Sequence, residues 1–306
     1  MKKIILILPY FGKFRNDNDF WLKSVELNPS INFLLFTDQN IEVPSNVKLV
    51  CISFDKFKTL IQQKFDFKIN IPQAYKLCDF KSAYGFLFQD YIHDFDFWGH
   101  CDNDLIFGDI RHFITDDILE KYERILVRGH FTLYKNINSV NNSFKEATPS
   151  YKSVFSSSKN YLYDEIPGTG GFWIKQKSDK LYNEIIFDDI YYLSHKFITV
   201  HKKELDKNRK HFIYSFENGK LYRIFNERGN IGKEETMYVH FQKRNLKIKT
   251  QVSNYFTIIP NEYIDYVANP TIDFLKKYAK GHLLYPQYFK IKFKTLKRKI
   301  KSFLNQ

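Results

Sequence analysis

The sequence is poor in the features that would staple, anchor or segment it. Its 306 residues hold three cysteines, Cys51, Cys78 and Cys101, an odd number without Cys-x-x-Cys spacing. That excludes a disulfide framework, argues against a cysteine-based zinc site and favours free thiols in a reducing compartment. No uninterrupted apolar run approaches the roughly 18 residues of a transmembrane helix. The apolar run at residues 4–8 stops at Pro9, short of the roughly 7–15 residues of a signal-peptide core. It reads as a first, buried strand. The 12 glycines and 9 prolines form no linker-like cluster, and neither a repeat nor a low-complexity run divides the chain. A cytoplasmic protein is the expectation.

What is present is enough for a large core. Hydrophobic residues make up 43% and charged residues only 26%, which excludes a disordered chain. The formal charge of +13 taken alone suggests a polyanionic partner, but its distribution is uneven. Residues 281–306 contain no acid, and Lys290, Lys292, Lys294, Lys297, Arg298, Lys299 and Lys301 supply seven positives. Phe289, Phe293, Leu296, Ile300 and Phe303 recur there at spacings of 4, 3, 4 and 3, one face of a helix with the lysines around the other. Such a basic amphipathic tail suits peripheral docking of residues 286–304 on an anionic membrane surface.

Along the chain, residues 4–8, 31–36, 47–52 and 95–100 read as strands, and 20–27 and 55–63 as short helices, with Asp17 or Asp19 capping the first. Residues 74–91, free of proline after Pro72, read as one long helix. Strands alternating with helices predict an α/β fold with a doubly wound, mostly parallel sheet. The second half changes character. Strands at 211–216 and 220–225 flank Asn218-Gly219, a type I′ hairpin signal, and further strands are expected at 172–175, 236–241 and 255–259. Residues 139–163 read as loop with short helices. The expected division is a nucleotide-binding half, 1–113, and an acceptor half, 114–280, followed by the tail at 281–306.

Three Asp-x-Asp patterns occur, and context separates them. Asp17-Asn18-Asp19 precedes a helix, and Asp94-Phe95-Asp96 lies at the amino end of a strand. Only Asp102-Asn103-Asp104 follows the carboxyl end of a strand, where a doubly wound sheet gathers its ligands. Two carboxylates there supply hard oxygen ligands for Mn2+ or Mg2+.

Tyr75-Lys76-Leu77, Asp79, Lys81 and Tyr84, the strand at 95–100, and the run from Asp102 through Phe107-Gly108-Asp109-Ile110 together resemble nucleotide-sugar-dependent glycosyltransferases of the GT-A fold. More narrowly, the chain is similar to uncharacterised bacterial proteins associated with capsule and lipopolysaccharide synthesis. The resemblance covers about residues 4–245 and is strongest over 72–113. It implies that Asp102 and Asp104 bind metal and that Asn103 lies against the donor. It also implies nucleoside contacts from Thr37 and Asp38, and base stacking by Tyr10 or Phe11. Lys76 falls where such enzymes present a basic residue to the donor, with Asp79 and Lys81 nearby. His240 resembles the late histidine that completes the metal site. Lys243 would touch the diphosphate, although no Gly and no Lys-Pro-Trp follow the histidine here.

Inverting transfer needs a carboxylate to take the acceptor proton. Asp164 and Glu165, beside the glycine-rich stretch 168–171 and Trp173, are the candidates, and Glu234-Glu235 the competing pair. The glycine-rich stretch is not a dinucleotide fingerprint, and no P-loop or nucleophile elbow occurs. The expected function is transfer of a sugar from a UDP-sugar to a bacterial surface glycan, with a glycan or lipid-linked acceptor, at the inner face of the cell membrane. Two rivals compete. A nucleic-acid-binding protein would account for the charge and the 18% aromatic content, but the charge is concentrated in the tail and most aromatics fall in apolar runs, so no nucleic-acid partner is expected. A sugar-nucleotide-forming nucleotidyltransferase would need a basic glycine-rich loop after the first strand, and Gly12-Lys13 is too little.

Overall fold

Among the described residues, sixteen strands and a set of short helices account for most of the order in the computed structural model. It describes residues 1–164, 178–192, 194–242 and 244–281, together with 289, 293, 296 and 297. In chain order the strands are β1 Ile4–Pro9, β2 Ile31–Thr37, β3 Val47–Cys51, β4 Phe97–Cys101, β5 Leu105–Phe107, β6 Arg124–Arg128, β7 Phe131–Lys135 and β8 Leu181–Tyr182. There follow β9 Asp188–Asp189, β10 Arg209–Glu217, β11 Lys220–Glu227, β12 Asn230–Glu235, β13 Tyr238–His240, β14 Lys247–Ile248, β15 Tyr255–Ile259 and β16 Glu262–Ile264. The fold is mixed α/β. Packing divides it into two units that interleave along the chain: Met1–Phe14, Pro29–Asn103 and Ile114–Glu184 form one, and Arg15–Asn28, Asp104–Phe113 and Ile185–Gln306 the other. Packing changes unit between Phe113 and Ile114, at the division expected there, but residues 1–113 are not one unit, because β5 and the helix after β1 belong with later strands.

The first unit is built on a seven-stranded sheet of order β3-β2-β1-β4-β7-β6-β8. Strands β3, β2, β1 and β4 are mutually parallel, β7 runs antiparallel to both β4 and β6, and β8 is parallel to β6. Five consecutive buried residues, Ile4 to Leu8, are what a central parallel strand covered on both faces requires. On one face Ile5, Ile7, Leu34 and Phe36 meet Phe57 and Ile61 of helix α2 (Phe54–Gln62 in chain order, the second helix after α1, Asn18–Glu26) together with Phe80, Tyr84, Phe88, Trp98 and Phe155. Helix α2 starts where Ser53 accepts a hydrogen bond from the Lys56 amide.

The long helix expected over 74–91 is instead a 3₁₀ segment, Ala74–Ala83, followed by two single turns, Tyr84–Leu87 and Gln89–Ile92. The reason is polar. In a 3₁₀ helix residues i and i+3 stand in line, which pairs Lys76 Nζ with Asp79 at 2.7 Å in the interior. Both then bond outward, Lys76 to the carbonyls of Val154 and Lys159 and Asp79 to the amides of Tyr161 and Tyr163. Apolar periodicity carries no trace of this demand.

The second unit has a six-stranded sheet, β12-β11-β10-β15-β16-β14, and a three-stranded one, β5-β13-β9. Asn218 and Gly219 join β10 to β11 with φ of +48° and +88°, the type I′ geometry the dipeptide favours. Arg228 and Gly229 make a second such turn into β12, a strand the sequence pattern does not reveal. Helix α1 buries Phe20, Trp21 and Val25. Asp17 does not cap it through its side chain, because that carboxylate is taken by Arg15 at 2.9 Å and 3.0 Å and by the Tyr263 hydroxyl. Among the described residues no helix is long and apolar enough to cross a membrane. The tail and the strand expected at 172–175 lie largely or wholly outside the described residues. Phe289, Phe293, Leu296 and Lys297 have helical backbone, and the three apolar side chains are more than half exposed.

Candidate active site

Strand order in the first unit reverses between β2-β1 and β1-β4, so the switch point lies at the carboxyl ends of β1 and β4, where open α/β sheets take ligands. The segments leaving that edge are 10–14 after β1, Asp38 after β2, and Asp102-Asn103 after β4. Tyr10 continues the ladder through its amide to the Phe36 carbonyl, and its ring stacks on Phe14 at 4.7 Å. Phe11 turns into the core against Phe54 and Phe57 at 5.1 Å and 4.9 Å, so the aromatic left at the edge is Tyr10. Gly12, with φ of +93°, occupies a conformation that β-carbons disfavour. It thereby aims its amide at Asp38 Oδ1, 3.0 Å away. That bond, followed by one from Gln39, holds the exposed Asp38 carboxyl below its ordinary range. Thr37 is buried, and its hydroxyl accepts from the Gln39 amide.

After β4, the Asp102 amide donates to the His130 carbonyl and its carboxylate accepts from Lys81 at 2.8 Å. The Lys81 ammonium also donates to the Gly129 carbonyl at 2.6 Å and faces Asp164 at 3.3 Å. Burial would lower this ammonium, but Asp102 and Asp164, with the Cys78 thiol adding to them, outweigh it and hold Lys81 well above the usual lysine range. The buried His100, two residues before Asp102 on β4, is held well below the usual histidine range by burial and by the charges of Lys81 and Arg124. Asn103 is buried, and its amide nitrogen has no hydrogen-bond partner among the described residues. An orphaned donor of this kind costs about 1–3 kcal/mol unless a ligand accepts from it.

Lys76 and Asp79 do not join this group. The three ammonium donors of Lys76 are consumed by Asp79 and two backbone carbonyls, so the pair fastens residues 159–163 to the 3₁₀ segment. Glu165, Lys243 and the glycine-rich stretch 168–171 lie outside the described residues.

Asp104 opens the second unit's three-stranded sheet. Strand β13 pairs antiparallel with β5, setting His240 opposite Leu105, and parallel with β9, setting His240 opposite Asp189. The Phe241 amide donates to the Asp104 carbonyl at 3.0 Å. His240 consequently sits between two carboxylates: Nε2 is 3.3 Å from Asp104 Oδ1 and Nδ1 is 2.9 Å from Asp189 Oδ1. Burial opposes the imidazolium, but Asp104 and Asp189 push His240 up to about 10. Asp104 is held low although burial opposes that too, because His240 and Arg15 favour its charge. Asp104 Oδ1 is buried without a hydrogen-bond partner among the described residues, so its approach to Nε2 is a charge contact, not an aligned bond. The far end of β5 is fixed by Asn28, which donates to the Gly108 carbonyl and accepts from the Ile110 amide.

Asp189, Gln242 and Arg15 escape sequence reasoning. Gln242 donates to Asp189 Oδ1 at 2.8 Å, and Arg15 is pinned to Asp17 and to the Arg244 carbonyl. The signal for Asp189 is a pair of adjacent acids between apolar Phe187 and Ile190, in a strand of two residues. Glu234, of the competing pair, is committed to Arg223 and Arg209.

These features define an α/β protein with acidic and imidazole side chains gathered at strand ends. The chain belongs to a family of unknown function (DUF6625), whose profile matches residues 6–267. A search of curated proteins finds no match.

Proposed function

We propose that the protein is a metal-dependent glycosyltransferase of the GT-A type, moving a sugar from a nucleoside-diphosphate donor, UDP-hexose first, to a bacterial surface-glycan acceptor. One observation supports this above the others. Asp102 and Asn103 leave the carboxyl end of β4 at the switch point of a parallel sheet, and the next residue, Asp104, is paired with His240. Carboxylate oxygens and one imidazole are a fitting donor set for Mn2+ or Mg2+. One residue separates the two aspartates, so covalent geometry keeps their α-carbons within about 7 Å. The buried Asn103 amide nitrogen, which has no hydrogen-bond partner among the described residues, is what a site built for a phosphate oxygen would leave.

In this reading Asp102, Asp104 and His240 hold the metal, which would neutralise charge on the leaving diphosphate. Lys81 fixes the Asp102 carboxylate, Asp38 and Thr37 border the nucleoside, and Tyr10 offers a ring to the base. Asp164, and Glu165 beside it, would serve the acceptor side. The basic tail would hold the enzyme at an anionic membrane face, where a lipid-linked acceptor resides.

Calorimetric titration of UDP with and without Mn2+, on the wild type and on Asp104→Ala, tests the reading. Manganese-dependent binding that the variant loses is the expected result. Binding of GDP or CMP in place of UDP would change the donor but keep the class. Failure of every nucleotide would remove the glycosyltransferase reading and bring nucleic-acid binding forward.

A further inference from the structure

Strand β9 is only two residues long, and its two aspartates go to opposite sides, as successive strand residues must. Asp188 is fully buried on one side, where the Tyr214 hydroxyl donates to it at 3.0 Å, Lys202 Nζ approaches to 2.9 Å and Arg223 Nε to 3.6 Å. Arg223, itself without exposed surface, continues to Asp206 and Glu234. So short a strand is held in register by this network and by the Ile190 amide, which donates to the His240 carbonyl at 3.0 Å. Asp189 is thereby presented on the other side, directly opposite His240 in the β9–β13 pairing.

We infer that Asp189 is the positioning residue of the candidate metal centre: it grips Nδ1–H of His240 and so aims Nε2 at the point shared with Asp104. The inference rests on the metal reading of Asp104 and His240 given above. Two features separate this role from that of a further ligand. The two nitrogens of an imidazole point away from one another, and Asp189 lies on the Nδ1 edge at 2.9 Å while Asp104 lies on the Nε2 edge at 3.3 Å. A cation on Nε2 is therefore out of reach of a carboxylate bonded to Nδ1. Asp189 Oδ1 is itself fixed, since Gln242 Nε2 donates to it at 2.8 Å, and its other oxygen faces His201 at 3.6 Å. A carboxylate that orients a ligating histidine through its distal nitrogen also raises the basicity of the ring, and its loss typically costs about 10–100-fold in metal affinity.

The experiment uses the full chain as wild type, Asp189→Ala and Asp189→Asn. Mn2+ uptake is followed by the electron paramagnetic resonance of the free ion, and the His240 ring N–H by proton NMR without metal. Asp189→Ala should weaken Mn2+ binding about 10–100-fold and lose the low-field, exchange-protected Nδ1–H resonance. Asp189→Asn should lie between, because its amide oxygen still accepts that proton without the charge. An Asp189→Ala affinity within about twofold of wild type, against the loss expected of an orienting carboxylate, would overturn the inference. If the alanine variant does not fold, asparagine decides: an unchanged affinity overturns the inference and a severalfold loss supports it. If the wild type takes up no Mn2+, the metal reading of the site falls, and the NMR result stands apart from it. A ring N–H resonance present in the wild type and lost in Asp189→Ala would then leave Asp189 as the holder of His240, and a resonance indifferent to the substitution would overturn that too.

Discussion

The hydrogen bond from the Gly12 amide to Asp38 joins the loops after β1 and β2 and makes Asp38 a stronger acid than an ordinary aspartate. The folded value is depressed, so whatever stability the bond contributes is complete above the ordinary carboxylate range, near about pH 4, and is lost as pH falls through the lower folded value. The Gly12 amide resonance should titrate with a midpoint below about 3.9 and stop titrating in Asp38→Asn; a midpoint at or above that value would mean the bond does not form in solution. A second residue-scale contrast lies between two ion pairs. Asp79 and Lys76 are buried, so Asp79→Ala, which strands a charge and two backbone amides, should destabilise by about 3–5 kcal/mol. Asp90 and Lys64 lie at the surface, and Asp90→Ala should change stability by less than about 1 kcal/mol. Urea denaturation of both variants measures the difference.

Elements in this protein are set by two kinds of signal with different reach. Turns obey local chemistry. At Gly219, φ is +88° and an added β-carbon would lie 3.3 Å from Leu27, so Gly219→Ala should cost at least about 1–2 kcal/mol, seen as a lower urea midpoint with unchanged slope. An equal midpoint would mean that the turn relaxes to another geometry. Buried polar groups act at longer range, and they explain the element that the sequence pattern misassigns. Residues 74–83 have the apolar spacing of an α-helix, yet the needs of Lys76 and Asp79 hold them in 3₁₀ geometry. The same reach hides β9, since two aspartates between apolar residues form a strand only because Tyr214, Lys202 and Arg223 wait on one side and His240 on the other.

For the whole molecule, charge distribution matters more than net charge. Seven of the excess positives lie beyond residue 289, while much of the remaining charge is spent in internal pairs such as those of Lys81, Lys202 and Arg223. Removing residues 286–306 should abolish sedimentation with vesicles rich in anionic lipid and leave nucleotide binding intact. Binding by the full chain should fall steeply as salt is raised. Vesicle binding that survives the truncation would transfer the membrane role to another surface.

Several features were determined by the sequence alone. The apolar runs of β1, β2 and β4, helices α1 and α2 and the Asn218-Gly219 turn follow from local pattern, because side-chain periodicity and backbone preference act over a few residues. The position of Asp102 at a strand's carboxyl end belongs with them. Tertiary structure decided what depends on partners distant in the chain. It assigned Lys76 to a structural pair and Lys81 to Asp102, two lysines that look alike in sequence. It also turned Phe11 into the core, withdrew Asp17 from capping, and brought Asp189, 51 residues away, to His240. Burial and charge pairing fixed these choices, and both arise only once the chain has folded.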